Sequence, residues 1–117
     1  MNMTFIRVSG VLAILAFAFL AFPKMTYADE PAGKKLFLDN KCNTCHSIES
    51  QDIKRTLASS KAPDLSTVGD TRDADWISQF LQKKVDLDGK KHSKGWTGKD
   101  EDLKTLSEWL ASLKKAK

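Results

Sequence analysis

Cys42-Asn43-Thr44-Cys45-His46 holds the only two cysteines in the chain and one of its two histidines. Two cysteines three positions apart lie on one side of a single helical turn, and the residue after them is carried round beside them. That order is what attaching a haem through two thioethers and one axial imidazole requires. Both sulfurs can reach the vinyl groups on one edge of a porphyrin, and the next residue then faces the iron. The pentapeptide therefore implies one covalent haem c with its iron, held by Cys42 and Cys45, with His46 as the proximal ligand.

Three other chemistries use the same residues, and each fails on a different one. A thioredoxin-like redox pair should follow a buried strand in a βαβ unit, but Lys34 to Lys41 reads as an amphipathic helix. For zinc, Cys42, Cys45, His46 and His92 would supply four ligands, yet adjacent Cys45 and His46 would have to bind one ion side by side, with no second ligand pair to close the site. A structural disulfide would close too short a loop to stabilise much.

The N-terminus supplies the compartment that haem attachment needs. Arg7 ends a short basic start, Val8 to Phe22 is an almost unbroken apolar run, and Thr26-Tyr27-Ala28 ends in the small residue a signal peptidase requires. Residues 1–28 are thus expected to be a signal peptide cleaved after Ala28, leaving the mature domain 29–117 in the periplasm. Fifteen apolar residues closed by Pro23 fall short of the ~20 needed to span a bilayer, so the membrane enters only through an uncleaved signal segment. Export also accounts for the cysteines, because thiols outside the cytoplasm are seldom left unused. A mature chain of 89 residues makes one small domain. The apolar faces of a porphyrin would supply burial that such a chain lacks, so haem loss should mean unfolding.

Helical periodicity dominates, without repeats or strand-like alternation. A first helix starts near Pro31, after Asp29 and Glu30, presents Leu36 and Phe37, and ends near Asn40. A second runs from about Asp73 to Val85, with Trp76, Ile77, Phe80 and Leu81 on one face and Gly89 beyond its end. The third begins near Thr97, whose hydroxyl forms a capping box with Asp100, and continues through Leu103, Leu106, Leu110 and Leu113, with Lys114, Lys115 and Lys117 at its negative end. Segment 47–62 reads as an exposed loop with a helical turn around Ile53 to Leu57.

The mature sequence as a whole resembles the small class I c-type cytochromes of bacterial periplasms. The resemblance implies an all-α fold of about three main helices packed around the haem. Gly33 and Phe37 look like the first-helix positions that cross the C-terminal helix in this family, where Trp109 would be the aromatic partner. Ala62-Pro63-Asp64-Leu65 is similar to the family's Gly-Pro-x-Leu segment, in which the proline carbonyl accepts a hydrogen bond from the proximal histidine. Pro63 would thereby fix the tautomer and ring plane of His46.

The family's usual distal ligand is a methionine shortly before the last helix, and residues 29–117 contain none; Met1, Met3 and Met25 all precede Ala28. His92 stands where that methionine would stand, which points to bis-histidine ligation. Lys90, Lys91 and Lys94 are the competing ligands, although a lysine must first lose a proton from a reference pKa of about 10.4. The third filling is an open site that binds a small gas or a peroxide, with Trp96 walling the distal pocket; otherwise Trp96 packs over the haem face.

Charge bears on partners. The mature chain carries 17 Lys and Arg against 15 Asp and Glu, while residues 83–99 alone carry six lysines and two aspartates. That local excess would steer a monomeric carrier towards acidic patches on redox protein donors and acceptors. A nucleic-acid role lacks the sustained basic surface it would need. The expected function is one-electron transfer by a single haem c, without substrate turnover, so the chain is not an enzyme. The alternative is a haem-based gas sensor with an exchangeable distal site.

Overall fold

The computed structural model describes residues 30–116, so the expected signal segment 1–28 and Lys117 lie outside the described residues. Helix α1 spans Ala32–Asp39, α2 spans Ala74–Leu81 and α3 spans Asp100–Ala111; short 3-10 turns occupy Cys42–Thr44, Glu49–Gln51 and Val68–Asp70. The fold is all-α, with three main helices as expected.

The crossing of α1 with α3 is set by Gly33. A Cβ placed there would lie 2.1 Å from the Trp109 Cβ, so only a residue without a side chain lets the two backbones come this close. One turn on, Phe37 is 1% exposed, and its ring centroid stands 6.0 Å from that of Trp109 at an interplanar angle of 59°. Leu103, Leu106, Leu110 and Leu113 bury the inner stripe of α3 and its C-terminal extension. Ile77 of α2 completes this core with Ile48 and Ile53 of the long loop.

Two helix ends differ from their sequence expectation. Helix α2 begins as expected, with the Asp73 carboxylate accepting from the Trp76 N–H at 2.8 Å, but it stops at Leu81 and not at Val85. Lys83 adopts a left-handed conformation (φ 59°), and the Lys83 and Lys84 amides bond back to the carbonyls of Phe80 and Gln79. This is a Schellman closure built on lysine where glycine is usual, so the sequence carries no stop signal. Helix α3 starts at Asp100 and not at Thr97; Lys99 is its N-cap without a side-chain bond, and Asp100, Glu101 and Asp102 face the positive end of the dipole instead.

The loop after the cysteines also differs. Its helical turn lies at Glu49–Gln51 and not at 53–57, and two residues expected in an exposed loop are in the core: Ile48 is 0% and Ile53 5% exposed. Their backbones pair reciprocally, at 2.9 and 3.1 Å. Two isoleucines five apart match neither the helical nor the strand period, so periodicity does not find them.

Candidate functional site

The CxxCH stretch follows directly from the end of α1. Asn40 caps the helix, Lys41 turns the chain through a left-handed conformation (φ 57°), and the next residues wind into the 3-10 turn. The His46 and Cys45 amides both bond to the Cys42 carbonyl, at 3.0 and 3.3 Å, which brings His46 back beside the two thiols. Both cysteines are free and half-buried. Burial pushes the Cys42 thiol pKa up, with the nearby Lys94 charge acting in the opposite direction.

The long loop straps this turn from outside. The Asn43 and Thr44 carbonyls accept from the Thr56 and Leu57 amides, both at 3.0 Å, and the Cys45 carbonyl accepts from the Ser60 hydroxyl at 2.9 Å. Downstream, Asp64 gathers the loop into a polar knot. Its carboxylate accepts from the Ser47 hydroxyl and from the Glu49 and Ser66 amides at 2.7–3.0 Å. Desolvation would raise its pKa, but the bonds from Ser66, Ser47 and Glu49 outweigh it and hold the carboxyl at about 2.

Pro63, beside that knot, turns its carbonyl to His46, with an Nδ1 to oxygen distance of 2.8 Å. A carbonyl only accepts, so Nδ1 carries the proton and Nε2 keeps its lone pair. Burial lowers the His46 pKa; the Pro63 carbonyl opposes, the neighbouring His92 adds to the lowering, and Asp64 opposes.

His92 arrives from the other side. Leu87 and Lys90 bond to each other reciprocally, at 2.8 and 3.0 Å, around Asp88 and Gly89, which both have positive φ. This is the two-residue Asp-Gly hairpin, and it aims Lys90, Lys91 and His92 back towards α2. Phe80 packs its ring edge-on to His92 at 5.3 Å. His92 Nδ1 lies 2.6 Å from the Lys94 carbonyl, so this ring too is anchored through Nδ1 with Nε2 left free.

The structure brings His46 and His92 together. Their ring centroids are 6.2 Å apart and their planes differ by 10°. A metal ion held between two imidazole nitrogens, each at about 2 Å, would need ring centroids roughly 6 Å apart, a separation that His46 and His92 would suit. The zinc alternative does not fit, because among the described residues no three His, Cys, Asp or Glu side chains gather to hold a metal ion. Lys90, Lys91 and Lys94 are all exposed, and Lys94 Nζ donates to the Asn40 carbonyl at 2.9 Å.

Trp96 is half-buried against the core. Its amide donates to the Leu81 carbonyl at 2.8 Å and its indole N–H to the Lys99 carbonyl at 3.1 Å. Sequence reading missed Ser60, Asp64 and the Asp88-Gly89 hairpin as parts of the site. The Asp-Gly pair was the available signal. The partners that make Ser60 and Asp64 part of the site lie fifteen to seventeen residues away, beyond the local bond each accepts from an amide two residues on.

A family model described as Cytochrome c matches residues 31–114. No curated relative and no solved structure matches the chain.

Proposed function

Because the chain belongs to the cytochrome c family, as a small class I c-type cytochrome with covalently attached haem c, we propose that it is an exported one-electron carrier with bis-histidine ligation by His46 and His92. The family makes it a haem-binding electron-transfer protein. When bound, the haem iron supplies the ferric and ferrous states between which one electron passes. Cys42 and Cys45 hold the porphyrin, and Pro63 orients His46 through Nδ1. The carbonyl of Lys94 does the same for His92, and Trp96 covers part of the cofactor. The observation that carries the reading is the pair of near-parallel rings, each anchored at Nδ1 by a carbonyl and free at Nε2.

Export is supported by the basic start, apolar run and Ala28 of residues 1–28, and cytochrome c domains are typically exported. The lysines of 83–99 favour acidic redox partners, with association that weakens as salt rises.

The visible spectrum of the purified holoprotein, with and without carbon monoxide, tests the assignment. The ferrous protein should be six-coordinate and low-spin, and unaffected by the gas. Ready gas binding by the native protein would overturn bis-histidine ligation in favour of a sensor with an open distal position.

A further inference from the structure

Lys94 does two things at once. Its backbone carbonyl meets His92 Nδ1 at 2.6 Å, and its side chain reaches across the chain to the Asn40 carbonyl at 2.9 Å. Asn40 is the C-cap of α1, where the last carbonyls lack helical partners and the helix dipole is negative. A lysine ammonium suits that position on both counts. Two residues further on, Cys42 opens the CxxCH turn. The bond therefore joins the segment that carries His92 to the segment that carries the cysteines and His46.

The remaining fastenings of 82–96 lie elsewhere. The Schellman closure holds Lys83 and Lys84 to α2, the hairpin bonds Leu87 to Lys90 within the segment, and the Trp96 amide ties its far end to the Leu81 carbonyl. These fix the segment to itself or to α2, and the Trp96 indole N–H adds a bond to the Lys99 carbonyl at the N-cap of α3. Among its described hydrogen bonds, the one from Lys94 Nζ reaches the α1 side.

We propose that Lys94 is a positioning residue for the distal ligand: its carbonyl sets the ring of His92, and its ammonium group straps the His92 segment to the end of α1, keeping the two histidines in register. The proposal rests on bis-histidine ligation. Loosening the strap leaves both ligands present but lets the distal side open more often, and a competing ligand enters through those openings.

The test uses the holoprotein with Lys94→Leu, which removes the donor but keeps the stem and the carbonyl, and Lys94→Arg, which keeps a cationic donor. Carbon monoxide binding to the ferrous form and cyanide binding to the ferric form are followed by stopped flow, with resting spectra of each protein. Lys94→Leu should keep the low-spin resting spectrum and bind both ligands about two- to tenfold faster, the factor that one net hydrogen bond corresponds to. Lys94→Arg should return towards the wild-type rate. Equal rates in wild type and Lys94→Leu would overturn the strap. So would acceleration in Lys94→Leu that Lys94→Arg fails to reverse, since that effect would not depend on the cationic donor. His92→Ala separates the two layers. If its resting spectrum equals that of the wild type, bis-histidine ligation itself fails and the strap with it; if that spectrum turns high-spin while Lys94→Leu shows wild-type rates, only the strap fails.

Discussion

At the scale of single residues, the site was legible wherever a residue type was rare. Two cysteines, two histidines and the lack of methionine after Ala28 leave few arrangements for an iron, and His46 and His92 are brought within 6.2 Å of each other. Illegible were the residues whose role depends on a distant backbone atom. Lys94 is one lysine among six in 83–99, and its partner Asn40 lies 54 residues away. The expected consequence of the ligand reading concerns the softer donor: His92→Met replaces a nitrogen by a thioether, and a His/Met haem sits at higher potential than a bis-histidine one. Potentiometric titration should show the midpoint rising in His92→Met. An unchanged midpoint would place the distal ligand elsewhere.

At the scale of elements, the centres of the helices were readable and their ends were not. The apolar stripes of α2 and α3 follow from side-chain period, whereas the stop after Leu81 depends on Lys83 accepting a left-handed conformation that glycine would have announced. Gly33 was readable through the family resemblance, which puts it one turn from Phe37 at the helix crossing, where a small residue lets two backbones approach. Gly33→Ala should therefore be costly despite adding one carbon: the new Cβ meets Trp109 at its own Cβ and Cγ, which belong to the stiff root of the side chain. Forcing the helices apart should lower stability by roughly 1–3 kcal/mol. Trp109→Ala should cost less than the ~3–5 kcal/mol of a fully buried aromatic, because Trp109 is only half-buried. Denaturant titration of both holoprotein variants checks this, and a Gly33→Ala midpoint equal to wild type would mean that the crossing is looser than drawn.

At the scale of the molecule, the long loop is as much a part of the scaffold as the helices. It lends Ile48 and Ile53 to the core, ties down the CxxCH turn and ends in the Asp64 knot beside Pro63. That knot makes a part of the stability depend on acid pH. The Asp64 carboxyl is held at about 2, below its ordinary 3.8, so its contribution to stability is fully present above about 3.8 and is lost as pH falls through about 2. Denaturation midpoints measured from pH 5 to pH 2 should show wild type above Asp64→Asn at the upper end and converging with it at the lower end. A gap that stays constant across this range would mean that the carboxylate charge contributes nothing.

The crossing of α1 and α3 also orders events in time. A chain made from its N-terminus presents Cys42, Cys45 and His46 more than fifty residues before Asp100 opens α3. Until α3 arrives, Phe37 has no Trp109 to pack against and Gly33 no partner backbone. Closure of the core thus waits for α3, and the two thiols pass through that interval on an unclosed polypeptide.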